Sequence, residues 1–327
     1  MKALRVHGYA PGDRIVLDEI AVPEPRAGEI RVRVRACGVS FVDLLLARGG
    51  YQLRPAPPFV PGSEFSGVVE AIGPHTETEL RPGDRVGGVR LGAWAEVICV
   101  PAETVFGLAG DASFIEAAVL VAPYATALYA LRERGRLRAG ETLLVLGAAG
   151  SVGHAAVQLG KLLGARVIAA ASSAVKRAAA LEAGADAVVD TRADWKDEVK
   201  KLAAPRGVDV VIDPVGGDAT DAAFRTLGWG GRHLMVGFAG GTIHALKSNL
   251  ALVKGASLVG VDFRQAGERE ASLARDVKRD AVALYRDGRI KPLIRHVLPV
   301  SRFDEAAALV GDRAGFGRVV FTFEAGA

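Results

Sequence analysis

The chain of 327 residues is long enough for two domains of ordinary size. Half of its residues are hydrophobic and 24% are charged, a composition that is typical of a globular protein and excludes an intrinsically disordered chain. The formal net charge is only +4 and includes no basic run, so the pI of 9.1 is a weak indication of nucleic-acid binding. The two cysteines exclude a disulfide scaffold and a multi-cysteine zinc lobe.

The mean hydropathy is positive (+0.23), so a membrane segment has to be considered. The longest uncharged apolar run covers residues 117–131, is interrupted by Pro123 and is shorter than the roughly 20 residues of a spanning helix. The first ten residues lack the apolar region and cleavage site of a signal peptide. We therefore expect a cytoplasmic protein without a membrane segment.

The first hundred residues predict a mostly antiparallel β domain. Residues 29–36 alternate apolar and charged side chains, which is typical of a strand with one buried face. Turns rich in Pro and Gly separate this strand from further predicted strands at 67–72, 85–89 and 94–100. The pattern changes at 113–116, where a Ser precedes a Glu by three residues, as in a capping box, and a long apolar helix is expected to follow.

From residue 142 onward, segments with the pattern of strands alternate with segments that have helical spacing. Strands are predicted at 142–146, 166–170, 187–189, 208–212, 233–236 and 257–261, with helices at 152–163, 174–182 and 220–227. This alternation is typical of a doubly wound parallel sheet. A charged amphipathic helix is predicted at 268–287. The tail, with a strand at 297–298, a helix at 304–310 and a strand at 317–323, is expected to return to the first domain.

The strongest local signal is an apolar strand that runs into a glycine turn, after which a helix begins directly. Its register, Ala148-x-Gly150-x-x-Gly153, matches the dinucleotide-binding fingerprint with Ala at the first position. Gly150 would let the backbone approach a pyrophosphate, and Gly153 would let the helix pack close to the strand. The N–H groups of Ser151 and Val152 would face the anion at the positive end of the helix. The alternative is an ordinary Gly-rich turn, which this position in a series of βα units disfavours.

The end of the next predicted strand carries hydroxyls and cations. Ser172 and Ser173 are followed by Lys176 and Arg177, and no acid occurs before Glu182. An enzyme that uses NAD usually carries Asp or Glu at this position to bind the ribose 2′-hydroxyl. Cations would attract the 2′-phosphate that a carboxylate would repel, so the sequence favours NADPH over NADH. The alternative for the two basic residues is a solvated helix face.

Several motifs, together with the glycine turn, resemble those of the medium-chain dehydrogenase/reductase superfamily, and of its zinc-free quinone oxidoreductase (zeta-crystallin-like) branch. They are ACGVSFVD (36–43), RGGY (48–51), PGSEFSG (61–67), GDRV (83–86), DPVGG (213–217) and GGR (230–232). The resemblance covers essentially the whole chain. It implies an α/β fold in which a Rossmann nucleotide-binding domain, residues 123–265, is inserted in a mostly antiparallel β (GroES-like) catalytic domain, residues 1–122 and 266–327.

The resemblance also indicates whether the chain should bind zinc. Zinc enzymes of this superfamily place a Cys ligand where Ser40 stands, a His ligand where Ser63 stands, and a third ligand near residues 121–123, which are Val-Ala-Pro in this chain. Catalytic zinc needs three protein ligands, so we expect no metal. Cys37 is interpreted as a small buried hydrophobe.

Without a Lewis acid, alcohol oxidation is disfavoured. The chemistry that remains is hydride transfer from NADPH to a small molecule that is already electrophilic, either a quinone or an α,β-unsaturated carbonyl. The nicotinamide would lie in the cleft between the domains. A proton must follow the hydride, from a side chain or from water.

By resemblance, Ser40, Asp43 and Tyr51 line the nicotinamide and substrate cleft as catalytic residues. Tyr51 would donate a hydrogen bond to a carbonyl or hold the nicotinamide amide, or it is a packed or surface aromatic. Asp43 would orient hydrogen bonds, or it is a first-turn acid of a helix. Relatives often carry Asn where Ser40 stands and a second Tyr where Leu45 stands, so protonation by solvent stays open.

Five more residues match cofactor contacts of the branch. Thr126 would lie beside the nicotinamide, or it is a helix Thr that bonds its own backbone. Gly237 and Phe238 would cover the cofactor. Asn249 matches a contact position, with a turn or cap residue as the alternative. Arg313 matches an Arg that reaches the 2′-phosphate, with a surface Arg as the alternative.

Two other functions stay open. One is an enoyl-thioester reductase (enoyl-CoA or enoyl-ACP) of the same fold, which would need a basic patch for a coenzyme A phosphate. The other is a non-catalytic protein that binds NADPH or RNA, which the dispersed charge and the absence of an aromatic and basic cluster disfavour. Relatives are usually dimers, and the predicted strand at 257–261 is a candidate for edge pairing in a homodimer.

Overall fold

The computed structural model describes residues 1–10, 15–312 and 315–323. The chain divides into two units, Met1–Ala122 with Lys291–Ala327, and Pro123–Ile290. The second unit therefore ends at residue 290, whereas the sequence suggested that the inserted domain ends at residue 265. No helix in the described part of the chain is both long and apolar enough to cross a membrane.

Within these residues, strands dominate the first hundred positions and then alternate with helices. The strands are β1 (Lys2–Val6), β2 (Ile15–Glu19), β3 (Glu29–Val39), β4 (Glu64–Ile72), β5 (Arg85–Val89), β6 (Val97–Pro101), β7 (Val105–Gly107), β8 (Thr142–Leu146), β9 (Arg166–Ala171), β10 (Ala187–Asp190), β11 (Val208–Asp213), β12 (Leu227–Met235), β13 (Ser257–Gly260), β14 (Ile294–Pro299) and β15 (Arg318–Thr322). The α-helices are α1 (Phe41–Ala47), α2 (Phe114–Ala117), α3 (Val121–Leu128), α4 (Ser151–Leu162), α5 (Ala174–Glu182), α6 (Trp195–Leu202), α7 (Asp218–Phe224), α8 (Asn249–Lys254), α9 (Phe263–Arg269), α10 (Ala271–Arg286) and α11 (Phe303–Gly311).

The first unit is built around a mostly antiparallel sheet. Its strands follow the order β14-β15-β3-β4-β5-β7, with β6 also paired to β3, and β1 and β2 form a separate antiparallel pair. The alternation predicted for the third strand is present, since Ile30, Val32 and Val34 are buried. They belong to a core that includes Trp94 and Phe321, whose rings meet edge to face at 5.6 Å.

The second unit is a Rossmann-type layer structure. Its parallel sheet has the order β10-β9-β8-β11-β12-β13, which is the doubly wound order 3-2-1-4-5-6 when the strands are counted along the chain. The predicted α/β fold class is thereby confirmed. The strand order reverses between β8 and β11, and ligands of such sheets bind at the carboxyl ends of the strands at this point.

The long apolar helix predicted after residue 113 is interrupted. The Ser113 hydroxyl caps α2, which ends at Ala117, and α3 is followed by a π-helical segment, Tyr129–Arg134. The backbone N–H of Ala122, in the first turn of α3, donates to a carboxylate oxygen of Glu64 at 2.9 Å. Hydropathy cannot reveal this break because a distant strand supplies the acceptor.

Residues 266–290 are part of the second unit because of the contacts that α10 makes there. The amphipathic face of α10 buries residues such as Val277 and Ala281, and Asp280 forms an ion pair with Arg132 at 2.8 Å. The predicted single helix at 268–287 is two helices, α9 and α10, with a residue of non-helical backbone, Glu270, between them. The sequence patterns also did not predict α1, α6 and α8 as helices or β1, β2 and β7 as strands.

Candidate active site

The glycine turn between β8 and α4 has the backbone geometry that the fingerprint requires. Gly147 adopts a left-handed φ of 58°, and the N–H of Gly150 closes the turn on the Gly147 carbonyl at 2.8 Å. A Cβ on Gly153 would overlap that carbonyl, so only glycine allows α4 to pack this close to the turn. This is the packing role expected from the sequence.

The start of α4 is shaped to receive an anion. Gly150 is its N-cap, and no side chain caps the first turn. A Cβ on Gly150 would meet one atom within 4 Å, the Gly147 carbonyl oxygen at a tight 3.3 Å, and the rest of the space beside it is empty among the described residues. The first-turn residues Ser151 and Val152 lie at the positive end of a helix of 12 residues. These residues fit the pyrophosphate of a dinucleotide.

Two further loops lie beside the glycine turn at the carboxyl ends of the strands. Val215, after β11, lies 2.8 Å from where a Cβ of Gly147 would be. The segment after β12 packs on the same loop, because the N–H groups of Gly237 and Ala239 donate to the carbonyls of Asp213 and Pro214. The structure therefore brings the predicted residue Gly237 close to the loop that follows β11.

A buried carboxylate holds the loop after β11. One oxygen of Asp213 accepts the N–H groups of Val215 and Gly216 at 2.9 and 2.8 Å. The other accepts the Thr220 hydroxyl at 2.7 Å and contacts His233 Nε2 at 3.0 Å. Burial alone would raise the pKa of Asp213, but these hydrogen bonds bring it below its ordinary value. Asp213 belongs to the DPVGG motif, but the sequence did not indicate this role.

The end of β9 carries the predicted hydroxyls. Ser172 and Ser173 are half-buried, and the Ser173 hydroxyl caps α5 by accepting the Lys176 N–H at 3.4 Å. Lys176 is itself half-buried. The structure brings these three residues together with Arg177, whose guanidinium reaches the Ala171 carbonyl at 3.4 Å.

An acid that the sequence did not indicate lies beside this cluster. Asp190, at the end of β10, forms ion pairs with Arg177 at 2.9 Å and with Arg192 at 3.3 Å. Hydrogen bonds from Arg192 and the charge of Arg177 lower the pKa of Asp190 to about 2. The carboxylate is therefore neutralised by two guanidinium groups. Asp190 lies one strand away from the ribose position of the fingerprint, which hides it from a linear motif.

Three other predicted cofactor residues lie in different parts of the second unit. Thr126 is half-buried in α3, Phe238 is 40% exposed in the loop after β12, and Asn249 is the exposed first residue of α8. Ser248, and not Asn249, is the N-cap of α8. Arg313 lies outside the described residues.

In the first unit, Ser40, Asp43 and Ser63 form a hydrogen-bonded group. Ser40 is the N-cap of α1, and its hydroxyl accepts the Asp43 N–H at 3.1 Å. One carboxylate oxygen of Asp43 lies 2.6 Å from the Ser40 hydroxyl and also accepts the Ser40 N–H at 2.9 Å. The other accepts the Ser63 hydroxyl at 2.8 Å. Asp43 is thus a first-turn acid of α1 that also fixes a second loop.

A second buried acid lies next to this group. Glu64 accepts the Ala122 N–H and forms an ion pair with Arg318 of β15, and both side chains are buried. Burial raises the pKa of both Asp43 and Glu64, and the charge of Arg318 opposes that rise in each case. The Glu64–Arg318 pair was not predicted. The lone Arg at the start of the apolar strand 318–322 is the only sequence signal for it.

The residues at the zinc positions do not fit a zinc ion. Ser40 and Ser63 present hydroxyls that are both bound to Asp43, and residues 121–123 offer no Cys, His or acid. Among the described residues, no group of three or more His, Cys, Asp or Glu side chains is placed to hold a metal ion. Cys37 is fully buried, and this burial raises the pKa of its thiol well above its ordinary value.

Tyr51 follows α1 in an irregular segment and is half-buried. Nearby, Gly49 has a left-handed φ of 69°, and a Cβ there would lie 2.8 Å from the ring of Tyr9. Tyr9 donates to the Pro55 carbonyl at 2.6 Å, and its ring lies under the Arg54 guanidinium. These contacts join the segment to the loop that follows β1.

The chain matches two protein families and a large set of known proteins. The family model described as alcohol dehydrogenase GroES-like domain matches residues 26–110, and the one described as zinc-binding dehydrogenase matches residues 151–278. Quinone oxidoreductase-like protein 2 of Bos taurus is 36% identical over 313 residues, which are 95% of this chain and 89% of that protein. Human synaptic vesicle membrane protein VAT-1 homolog-like is 32% identical over 346 residues, covering 99% of this chain and 81% of that protein.

Solved structures with the same fold extend the comparison. A probable oxidoreductase from Mycobacterium abscessus has a TM-score of 0.86 at 33% identity and covers 98% of both chains. CurK enoyl reductase has a TM-score of 0.89 at 26% identity, over 98% of this chain and 99% of that one. A mycobacterial protein in complex with NADPH has a TM-score of 0.88 at 28% identity, and the match covers 98% of this chain and 100% of that one. The chain therefore belongs to the quinone oxidoreductase branch of the medium-chain dehydrogenase/reductase superfamily, and it is an oxidoreductase with a domain for a nicotinamide cofactor.

Proposed function

We propose that this protein is a zinc-independent oxidoreductase that transfers a hydride from NADPH to a quinone or an α,β-unsaturated carbonyl. The observation that carries the proposal is the group formed by Ser40, Asp43 and Ser63. Hydroxyls stand where zinc relatives have ligands, and each is already bound to the same carboxylate. A Lewis acid polarises an alcohol or simple carbonyl for this chemistry, so its absence disfavours them, whereas quinones and enones are electrophilic without one.

The charge at the ends of β9 and β10 supports NADPH as the cofactor. Ser172 and Ser173 offer hydroxyls, and Lys176 and Arg177 offer cations, where an NAD enzyme has an acid. The carboxylate of Asp190 is neutralised by its two arginine partners and does not reverse the sign of the cluster. The NADPH complex of a structural relative agrees with this assignment. When bound, the nicotinamide supplies the hydride, and the chain has to hold it, orient the acceptor and provide a proton.

A panel of acceptors tests the proposal. Purified protein, analysed for zinc, is mixed with NADPH or NADH and with 1,4-benzoquinone, 9,10-phenanthrenequinone, 2-cyclohexenone or crotonyl-CoA, and separately with a simple alcohol and NADP⁺. We expect NADPH consumption with a quinone or with 2-cyclohexenone, a preference over NADH, and far less than one zinc per chain. Alcohol oxidation that depends on stoichiometric zinc would contradict the proposal.

A second candidate function is reduction of an enoyl thioester. The likeness to CurK enoyl reductase favours it, because that protein has the same fold over nearly the whole chain. Thioester and enone reduction share the hydride acceptor carbon and differ in how the carrier is recognised. Turnover of crotonyl-CoA far above that of 2-cyclohexenone would favour the thioester.

We also propose that two copies of this chain form a homodimer through the edge of the parallel sheet. Among the described residues β13 is paired on one side only, with β12. Large apolar side chains lie exposed on the adjoining elements β12 and α8: Trp229 is 85% exposed and Leu252 is 81% exposed. Leu258 on β13 itself is half-exposed. A free strand edge flanked by apolar side chains favours a self-complementary, two-fold contact.

A further inference from the structure

The group formed by Ser40, Asp43 and Ser63 is a chain of hydrogen bonds with a buried centre and half-exposed ends. The Asp43 side chain is only 3% exposed, whereas both serines are half-buried. The carboxyl oxygens lie 2.6 Å from the Ser40 hydroxyl and 2.8 Å from the Ser63 hydroxyl. A proton held at the centre can therefore leave only through one of two hydroxyls.

The protonation state of Asp43 determines where the hydrogen of the Ser40 hydroxyl points. A serine hydroxyl has one hydrogen and two lone pairs. When Asp43 is ionised, this hydrogen points inward, to the carboxylate. When Asp43 is protonated on the oxygen that faces Ser40, its O–H donates to the Ser40 hydroxyl, whose second lone pair is already occupied by the Asp43 N–H at 3.1 Å. The hydrogen of Ser40 then has to turn away from Asp43.

The surrounding charges favour one shared proton. Glu64 of β4 is a second buried acid, and Arg318 of β15 is the one buried cation among the described residues that acts on both acids. With both acids ionised the three groups carry a net charge of −1, so one bound proton makes the cluster neutral. Burial raises the pKa of Asp43, against hydrogen bonds from its two serines and the charge of Arg318.

The remaining neighbours of Asp43 do not change this balance. Cys37 of β3 faces it as a neutral thiol, since burial and the charge of Asp43 both raise the pKa of that thiol. The helix α11 packs against α1, and its acids Asp304 and Glu305 are exposed to solvent. Charges in solvent are screened far more than the buried Glu64 and Arg318.

We propose that Ser40, supplied by Asp43, delivers the proton that completes reduction of an α,β-unsaturated carbonyl. This inference rests on the proposed function. Gain of the hydride reduces the acceptor by two electrons, at the expense of the cofactor, and leaves it as an enolate. The α-carbon forms a C–H bond as the Ser40 O–H bond breaks, and Ser40 takes the proton of Asp43. Asp43 is left as a carboxylate, and solvent returns a proton to it before the next turnover.

The two serines provide a matched pair of variants. Ser40→Ala and Ser63→Ala each remove one hydroxyl from Asp43, but only the first removes the delivering group. With 2-cyclohexenone, kcat of the wild type should fall as pH rises, because only protonated Asp43 can supply the proton. Ser40→Ala should lower kcat about 100-fold, the scale of general acid catalysis, and remove the dependence of kcat on the protonation of Asp43, because water must then supply the proton. Ser63→Ala should shift the pH profile upward, since the carboxylate loses a stabilising donor.

A titration without cofactor gives an independent readout. The infrared C=O stretch of a protonated buried carboxyl should titrate in the wild type and disappear in Asp43→Asn. Its midpoint should move to higher pH in Ser63→Ala. Glu64→Gln identifies the band of the second buried acid. If Asp43→Asn leaves every such band in place, Asp43 does not hold the proton and the proposal is wrong.

The kinetic outcomes separate this inference from the proposed function. If the wild type reduces the enone while Ser40→Ala keeps the wild-type kcat and pH profile, the proton route is overturned and the proposed function stands. If the wild type consumes no NADPH with any acceptor, the proposed function fails and the proton route fails with it.

Discussion

At the scale of single residues, two glycines of the turn after β8 differ in what a Cβ would meet. On Gly153 it would overlap the backbone of Gly147 and Ala148. On Gly150 it would lie 3.3 Å from its nearest neighbour, and the φ of −78° is open to any residue. The fold therefore needs glycine at 153, whereas at 150 we propose that the pyrophosphate of the cofactor needs it.

We predict that the two alanine substitutions have separable effects. Gly153→Ala should destabilise the protein by about 1–3 kcal/mol, the usual cost of overpacking, and lower its Tm. Gly150→Ala should keep a Tm close to that of the wild type and weaken NADPH binding about tenfold or more. The added Cβ would keep the pyrophosphate away from the backbone N–H groups, so charge-assisted hydrogen bonds would be lost. Calorimetry and fluorescence titration measure both effects. If Gly150→Ala binds NADPH as tightly as the wild type does, the pyrophosphate does not bind beside Gly150.

The cation at 176 offers a prediction on cofactor choice. Lys176→Glu should raise the KM for NADPH more than the KM for NADH, because the new carboxylate would repel only the 2′-phosphate. Lys201→Glu, on the exposed end of α6, makes the same charge change away from the cluster and serves as control. Equal effects on the two cofactors would refute a role of Lys176 at the 2′-phosphate.

At the scale of elements, the Glu64–Arg318 ion pair connects three parts of the first unit. Glu64 lies on β4, Arg318 on β15, and the Ala122 N–H that Glu64 accepts lies at the start of α3. Both charged side chains are buried, at 3% and 7% exposure. Removing one partner of a buried ion pair destabilises a protein more than replacing both partners with apolar residues does.

A double-mutant cycle tests this brace. Glu64→Gln should destabilise the protein by about 3–5 kcal/mol, because the buried Arg318 loses the carboxylate with which it forms its ion pair. Arg318→Met should have a cost of the same order. The double variant should be closer to the wild type than the sum of the two, as measured by urea unfolding. Additive costs would show that the two side chains do not interact.

The elements also show how much the sequence could predict. The predicted bounds of β5, β8 and α5 agree with the structure to the residue, since each is a short segment between clear Gly, Pro or Ser signals. The break at Ala118 to Leu120 and the second unit's end at 290 depend on contacts between distant residues, which periodicity does not contain.

The same distinction holds for the site. The glycine turn is local, so sequence placed Gly150 and Gly153 in the roles that their geometry supports. Asp190 meets Arg177 only because β10 lies beside β9 in the sheet. Ser63 meets Asp43 only because two loops of the first unit converge. The roles of Tyr51, Asn249 and Arg313 remain predictions.

At the scale of the whole molecule, the apolar edge at β13 predicts the state of assembly. Leu252→Glu combined with Leu258→Arg should convert a dimer, of twice the 34.1 kDa of one chain, to a monomer in sedimentation velocity. Charges in a desolvated apolar contact are costly. Leu181→Glu, on α5, alters an apolar side chain that is 49% exposed away from that edge and serves as control. A wild-type monomer, or a dimer that persists in the double variant, would contradict the proposed contact.

Isotope tracing is the sharpest test of metal-free hydride transfer from NADPH to an electrophilic acceptor. Protein treated with a chelator and free of zinc is given NADPH carrying deuterium at C4 of the nicotinamide, in either stereochemical form, and 2-cyclohexenone in ordinary water. We predict that one form transfers its deuterium to the β-carbon of the product while the α-carbon gains hydrogen from the solvent. A product without deuterium at the β-carbon from either form, or turnover that returns only when zinc is added, would contradict the account.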